Sequence, residues 1–244
     1  MGSSRLPGKT LMKLDEKMST LNFVINQISF STLIDKIIIA TTNLKEDDVI
    51  ETECKELQIE CYRGHPADVL DRYYNCAKKF HIDTIVRITA DCPLIDPQIT
   101  DNLIMEFNTK NFDYITNTLD RTFPHGMDVE IFSYEVLEKT WKDAKLPSER
   151  EHVTPFIQKN KKNMKLHNIK NPKNLSHIRI TLDYKEDLEI ITKIISRINK
   201  RPILIQDILD IISGQPDLLK INQHITQNEG MLKSLNKDKN YKNQ

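Results

Sequence analysis

The pattern that most constrains this chain is an alternation between two hydrophobic periods. Short β-branched runs recur between segments whose apolar residues repeat every three or four positions. Such alternation marks βαβ units around a mostly parallel sheet. The clearest run is Thr84-Ile85-Val86-Arg87-Ile88-Thr89, followed by Ala90-Asp91-Cys92-Pro93. Pro93 has no amide to offer a ladder and ends it. Residues 36–40 and 59–62 read as two further strands, and Pro66 opens a helix with Val69, Leu70, Tyr73, Tyr74 and Ala77 at helical spacing. Downstream the pattern predicts a helix over 97–107, strands over 113–117 and 127–132, and helices over 134–144 and 148–159. A strand over 177–182 and helices over 185–199 and 203–213 complete it. No internal repeat interrupts the series. Residues 226–244 hold few apolar side chains and are rich in Lys and Asn, so a frayed tail is expected after a single domain over 1–225.

Composition narrows the function. At 244 residues the chain can bury a core without a staple. Its 35 Lys and Arg balance 35 Asp and Glu, which argues against a bulk electrostatic grip on nucleic acid or an anionic membrane. Cys54, Cys61, Cys76 and Cys92 form no CxxC pair and read as reduced thiols of a cytoplasmic protein. The apolar runs fall far short of the ~20 residues a membrane helix needs, and no signal-peptide pattern opens the chain. An anionic ligand must therefore meet a local cluster. Residues 1–13 carry Arg5, Lys9 and Lys13 with no acid, and residues 159–179 carry six Lys and Arg179 with none.

Gly2-Ser3-Ser4-Arg5-Leu6-Pro7-Gly8-Lys9-Thr10 has the makings of a triphosphate cradle. Small residues let backbone amides approach phosphate oxygens, hydroxyls donate, and Arg5 and Lys9 supply charge. A Walker loop, and with it a P-loop kinase, is a near miss: it needs four residues between its glycines, and Gly2 and Gly8 enclose five, Pro7 among them. A polar, disordered N-terminus is the bland alternative.

Asp91 ends the best strand, where open α/β sheets bind ligands, and alternation puts it on one side with Arg87 and Thr89. It could instead only cap the turn before Pro93. Asp183 ends the strand over 177–182, but with Glu186 it also fits a capping box. Thr41 and Thr42 close a strand, where hydroxyls are common. Arg63 and Gly64 follow the next, and Arg72 is either a ligand or an i,i+4 partner of Asp68. Asp128 and Glu130 share a side just after His125-Gly126, as substrate ligands or as a wet face. Glu151 fits a capping box with Ser148, and His152 is a lone histidine, more often structural than catalytic.

Gly2-Ser3-Ser4-Arg5-Leu6-Pro7-Gly8-Lys9 resembles the signature loop of sugar cytidylyltransferases, in particular the SpsF type related to CMP-Kdo and acylneuraminate cytidylyltransferases. Further blocks follow in the family's order: Arg63-Gly64 with 68–74, 87–97, Asn117-Thr118 with 126–132, 148–155, and Asp183 with 186–189. Together they run to about residue 222. The resemblance implies a Rossmann-like nucleotide-diphospho-sugar transferase fold of the GT-A type, a mixed, mostly parallel sheet with helices on both faces. It implies transfer of CMP from CTP to an acidic, ulosonic-acid-like sugar, for surface polysaccharide or glycan synthesis, with release of pyrophosphate. Mg²⁺ is then expected on Asp91 and Asp183, and the β and γ phosphates on Arg5 and Lys9. Ser3, Ser4, Thr41, Thr42, Arg63, Gly64 and Arg72 fall to the nucleotide, and His125, Asp128, Glu130, Glu151 and His152 to the sugar. A homodimer is compatible with the family. In that family the signature follows a strand ending in Arg, so the chain is expected to start one strand late and to expose apolar edges. A catalytically impaired scaffold relative is the alternative from another functional class.

Overall fold

The computed structural model describes residues 1–3 and 5–242. β1 (Ile38–Thr42) and β2 (Glu60–Gly64) pair in parallel, with Ala40 opposite Tyr62. β3 (Thr84–Arg87), β4 (Tyr114–Thr116), β5 (Glu130–Ser133) and β6 (Leu166–Asn168) form a second sheet in the order β3-β5-β4-β6. β5 runs antiparallel to both neighbours, and β4 and β6 are parallel. The architecture is mixed, as expected, but the described strands fall into two sheets, and two of their four pairings are antiparallel where a mostly parallel sheet was expected. Among the described residues β1 pairs only with β2 and β3 only with β5, so each keeps one open edge.

Pleating assigns the two faces of the larger sheet. Ile115 and Ile131 join one core with Phe23, Val24 and Ile28 of α1 (Thr20–Ile28) and Leu103 of α4 (Pro97–Thr109). That core also takes Ile190, Ile191 and Ile194 of α8 (Lys185–Ile195) and Ile208 of α9 (Ile205–Gly214). Their strand neighbours Tyr114 and Phe132 enter a second core with Leu70 and Tyr74 of α3 (Val69–Phe80) and Leu137 of α5 (Tyr134–Asp143). Helices thus cover both faces, because successive residues of a strand point to opposite sides. A third cluster packs Ile50 and Cys54 of α2 (Asp48–Glu56) on Leu21, Ile25 and Ile39.

Several boundaries move for local reasons. The helix expected from Pro66 starts at Val69, where the Asp68 carboxylate accepts the Asp71 amide. The helix expected over 148–159 breaks into α6 (Pro147–His152) and α7 (Pro155–Lys159). Val153 takes a φ of 72° there and Pro155 brings no amide. The strand expected over 177–182 makes a single bridge, His125 with Arg179. Its polar backbone divides between two partners: Ile180 N donates to His125 O and Leu182 N to Asp91 O, both at 2.8 Å.

The frayed tail expected over 226–244 is corrected: α10 (Glu229–Lys242) packs on α6. Its docking is polar. Asp238, 6% exposed, accepts the Ser148 amide at 2.8 Å and the Ser148 hydroxyl at 2.6 Å. Ser234 Oγ donates to Glu151 at 2.8 Å. No helix among the described residues is long and apolar enough to cross a membrane.

Candidate active site

The N-terminal loop turns back at Gly8, whose φ of 74° suits glycine. A single tight turn, Lys9–Leu11, follows. The loop delivers its two cations to one place. Lys9 Nζ donates to Asp91 Oδ2 at 2.7 Å and to Asp183 Oδ1 at 2.8 Å, while Arg5 Nη2 reaches Asp183 Oδ1 at 2.7 Å. Burial opposes the Lys9 charge, but the two carboxylates outweigh it and hold its pKa above the ordinary value. Burial likewise works to raise the Asp91 pKa. The Lys9 ammonium and the Thr89 hydroxyl, 2.6 Å away, overcome it and bring that pKa to about 2. Ser3 Oγ accepts the Leu6 amide and so shapes the loop. Ser4 lies outside the described residues.

The capping box expected of Asp183 with Glu186 does not form. Glu186 does not cap α8. Asp187 does, its Oδ2 accepting the Asp183 and Tyr184 amides at 2.9 and 3.0 Å. Asp183 is thereby released to face Lys9 and Arg5, and Arg179 Nη2 adds a third cation at 3.2 Å. Arg179, 3% exposed, is itself clamped by both oxygens of Asp187, and Asn222 Nδ2 donates to the Arg179 carbonyl. Sequence reasoning missed Asp187, whose signal was its place three residues beyond Tyr184, the residue that precedes α8. Asp91 does more than close a turn: its carboxylate binds Lys9, and its carbonyl receives Leu182 N and the Thr181 hydroxyl.

The other nucleotide candidates divide. Thr41 and Thr42 give their hydroxyls to buried Asp47, at 2.8 and 2.6 Å. Arg63 braces β1 and α2, donating to the Thr42 and Leu44 carbonyls, Asp48 and Glu51. No hydrogen bond among the described residues joins these three to the Lys9 cluster. Gly64 is needed for close packing: a Cβ there would meet Arg72 Cγ and Tyr62 Cε1 at 2.8 Å. Arg72 does not pair with Asp68, which Arg150 takes instead. It donates to the His65 and Pro66 carbonyls, and its buried Nε has no partner. Burial without a carboxylate bonded to it pulls the Arg72 pKa below its ordinary value.

On the opposite flank Asp128 is gripped by both terminal nitrogens of Arg121, the second at 2.7 Å. Glu130 is no wet-face residue. It is 6% exposed and receives Arg87, the Tyr114 hydroxyl and the Thr154 hydroxyl. His125 lies 3.5 Å from Arg179 Nη1, and burial holds its pKa below the usual histidine value. Glu151 does not cap α6. Glu149 does, accepting the Leu146 amide at 3.1 Å, so Glu151 and His152 turn to Ser234 of α10 instead. The sequence reading overlooked Arg121 and Ser234, one lying in a loop and the other in the supposed tail.

This loop, with its two carboxylates at strand and segment ends, lies within the match of one family model, cytidylyltransferase, over residues 1–214. The chain belongs to the cytidylyltransferase family. It is 27% identical over 225 residues to the spore coat polysaccharide biosynthesis protein SpsF of Bacillus subtilis, covering 89% of this chain and 92% of that protein. An uncharacterized protein of Methanocaldococcus jannaschii is 35% identical over 228 residues, with 93% and 92% covered. Among solved structures, a cytidylyltransferase from Leptospira borgpetersenii superposes with a TM-score of 0.87 at 34% identity, covering 93% of this chain and 94% of that one. A CMP:2-keto-3-deoxy-manno-octonic acid synthetase complexed with CTP shares the fold at a TM-score of 0.62 and 13% identity, with 80% and 95% covered. The protein is a nucleotidyltransferase with a nucleotide-diphospho-sugar transferase fold.

Proposed function

We propose that this cytidylyltransferase moves CMP from CTP to a hydroxyl of a small acidic sugar and releases pyrophosphate, as a step toward a surface glycan. The observation that carries the reading is the Lys9 ammonium clasped by Asp91 and Asp183, with Arg5 on the same Asp183. Two carboxylates that already converge on one cation are a hard oxygen set, and they fit Mg²⁺ shared with phosphate oxygens and water. Asp91 and Asp183 would hold it. Bound there, it would neutralise phosphate charge and polarise the phosphorus–oxygen bond.

The chain's own residues supply the rest. Once the carboxylates are engaged elsewhere, Lys9 and Arg5 are free to bind the β and γ phosphates and to stabilise the pyrophosphate as it leaves. Arg72, a half-buried cation without a bonded carboxylate and with its Nε unpartnered, is a further site for nucleotide anion. The sugar hydroxyl oxygen attacks the α-phosphorus, the bond to the bridging oxygen of the β-phosphate breaks, and the hydroxyl proton passes to water. Asp128, His125 and His152 fall to the sugar, with Arg121 orienting Asp128. Glu130 instead orders the wall behind it.

The test is pyrophosphate release by this protein with each nucleoside triphosphate across a panel of acidic sugars. CTP with one sugar should give release that chelation of Mg²⁺ stops and added Mg²⁺ restores. Asp91→Asn should lower kcat roughly 100-fold or more. Absence of sugar-dependent release with every triphosphate would sink the proposal.

A further inference from the structure

The three cations of the cluster, Arg5, Lys9 and Arg179, face Asp91, Asp183 and Asp187. That set alone is neutral. A fourth carboxylate, Glu229 at the start of α10, joins it from outside. Its Oε2 accepts the Tyr184 hydroxyl and lies 3.9 Å from Arg5 Nη1. Arg5 also stacks over the Tyr184 ring, 5.5 Å from its centroid, so Glu229, Tyr184 and Arg5 make one contact group. The first turn of α10 lies against Arg5 and His152. A methyl placed on Gly230 would be 4.0 Å from Arg5 Nη2 and 4.0 Å from His152 Cε1. Further along, the helix is pinned by Ser234 and Asp238.

We propose that Glu229 is a carboxylate plug: in the free protein it occupies the face of Arg5 that a nucleoside triphosphate needs, and the ligand must displace it. This rests on the phosphate-binding role of Arg5 given above. Asp183 already holds the Nη2 side of this guanidinium at 2.7 Å, so Glu229 and a phosphate oxygen compete for the Nη1 side. Glu229 has somewhere to go. Beside it lies an open crevice of about 480 Å³ lined by Tyr184, Glu186, His224, Ile225, Thr226 and Glu229. Lys233, one helical turn on, already holds the other carboxylate oxygen at 2.6 Å, so Glu229 keeps a cationic partner when it leaves Arg5. Triphosphate affinity is therefore set partly by a residue that the bound nucleotide does not touch.

The experiment is titration calorimetry of the full chain with CTP and Mg²⁺ for the parent, Glu229→Gln and Glu229→Lys. Because the Arg5 contact is partly exposed, Glu229→Gln should bind CTP about two- to fivefold more tightly. Glu229→Lys should bind more tightly still, and both gains should shrink as salt rises. Thermal melts of the variants should fall only slightly, since Glu229 is partly exposed and what it gives up is its contact with Tyr184 and a solvent-screened pair with Lys233. If neither variant binds more tightly while Arg5→Ala loses CTP, the plug is wrong and the phosphate role of Arg5 stands. If Arg5→Ala holds CTP as well as the parent, both fall.

Discussion

Gly126 shows how one residue sets the site. Its φ is 112°, and a Cβ there would sit 2.7 Å from the Ile180 carbonyl carbon and the Thr181 nitrogen. The segment it touches leads two residues later to Asp183. Gly126→Ala should therefore cost about 2 kcal/mol or more from backbone strain alone, a fall of roughly 4–8 °C in Tm for a chain this long. It should also weaken Mg²⁺-dependent CTP binding, because the Ile180 backbone must retreat. Calorimetric melting and CTP titration check both, and an alanine variant that melts and binds like the parent would refute the close-packing account. Much at this scale was legible: Arg5, Lys9, Asp91 and Asp183 were singled out, and the structure brings them within hydrogen-bond reach of one another. The choice between Asp183 as cap and Asp183 as ligand was not legible, because Glu186 and Asp187 both stand near enough in sequence to cap. Only the backbone shows that Asp187 does it. That Thr41 and Thr42 give their hydroxyls to Asp47 was not legible, because Asp47 sits in the next turn of chain and reads as an ordinary surface acid.

At the scale of elements, α10 is held by polar contacts rather than an apolar stripe. Asp238→Ala would leave the buried Ser148 amide without its acceptor, at a cost of about 1–3 kcal/mol. That loss should be local, detaching the helix before the cores are touched. Limited trypsin digestion at Lys233, Lys237 and Lys239 should speed up by roughly tenfold for each 1.4 kcal/mol lost. Unchanged cleavage would mean that the helix is held elsewhere. The same polar docking explains why the helix was missed. Hydrophobic periodicity reports a face that packs on carbon, whereas Ser234 and Asp238 dock through hydrogen bonds and leave Leu232 and Tyr241 about half exposed. The segment over 177–182 failed in the opposite direction. Its β-branched pattern is that of a buried strand and its residues are largely buried, but its amides are shared between His125 and Asp91. Burial was legible there, and pairing was not.

On the scale of the whole molecule, the alternation of periods identified the class, and both helical layers follow from it. What it could not show was β5 running against its neighbours or the separation into two sheets, since pairing partners are chosen over distances that no local pattern encodes. The separation has a consequence for motion. Backbone hydrogen bonds couple strands into one cooperative unit, and none among the described residues crosses from β1 to β3. β1, β2 and α2 are joined to the larger sheet by side-chain packing, through Leu21, Ile25 and Ile39 and through α3. In deuterated water the amides of β1 and β2 should exchange well ahead of those in β4 and β5, as a block of their own. Exchange at one common rate across all six strands would show instead a single cooperative body. The Lys9 cluster sits beside this seam, where Asp91 follows β3 and Lys9 precedes α1. A ligand that bridged the seam would slow the exchange of β1 and β2 toward that of β4 and β5, and the two halves would then open as one.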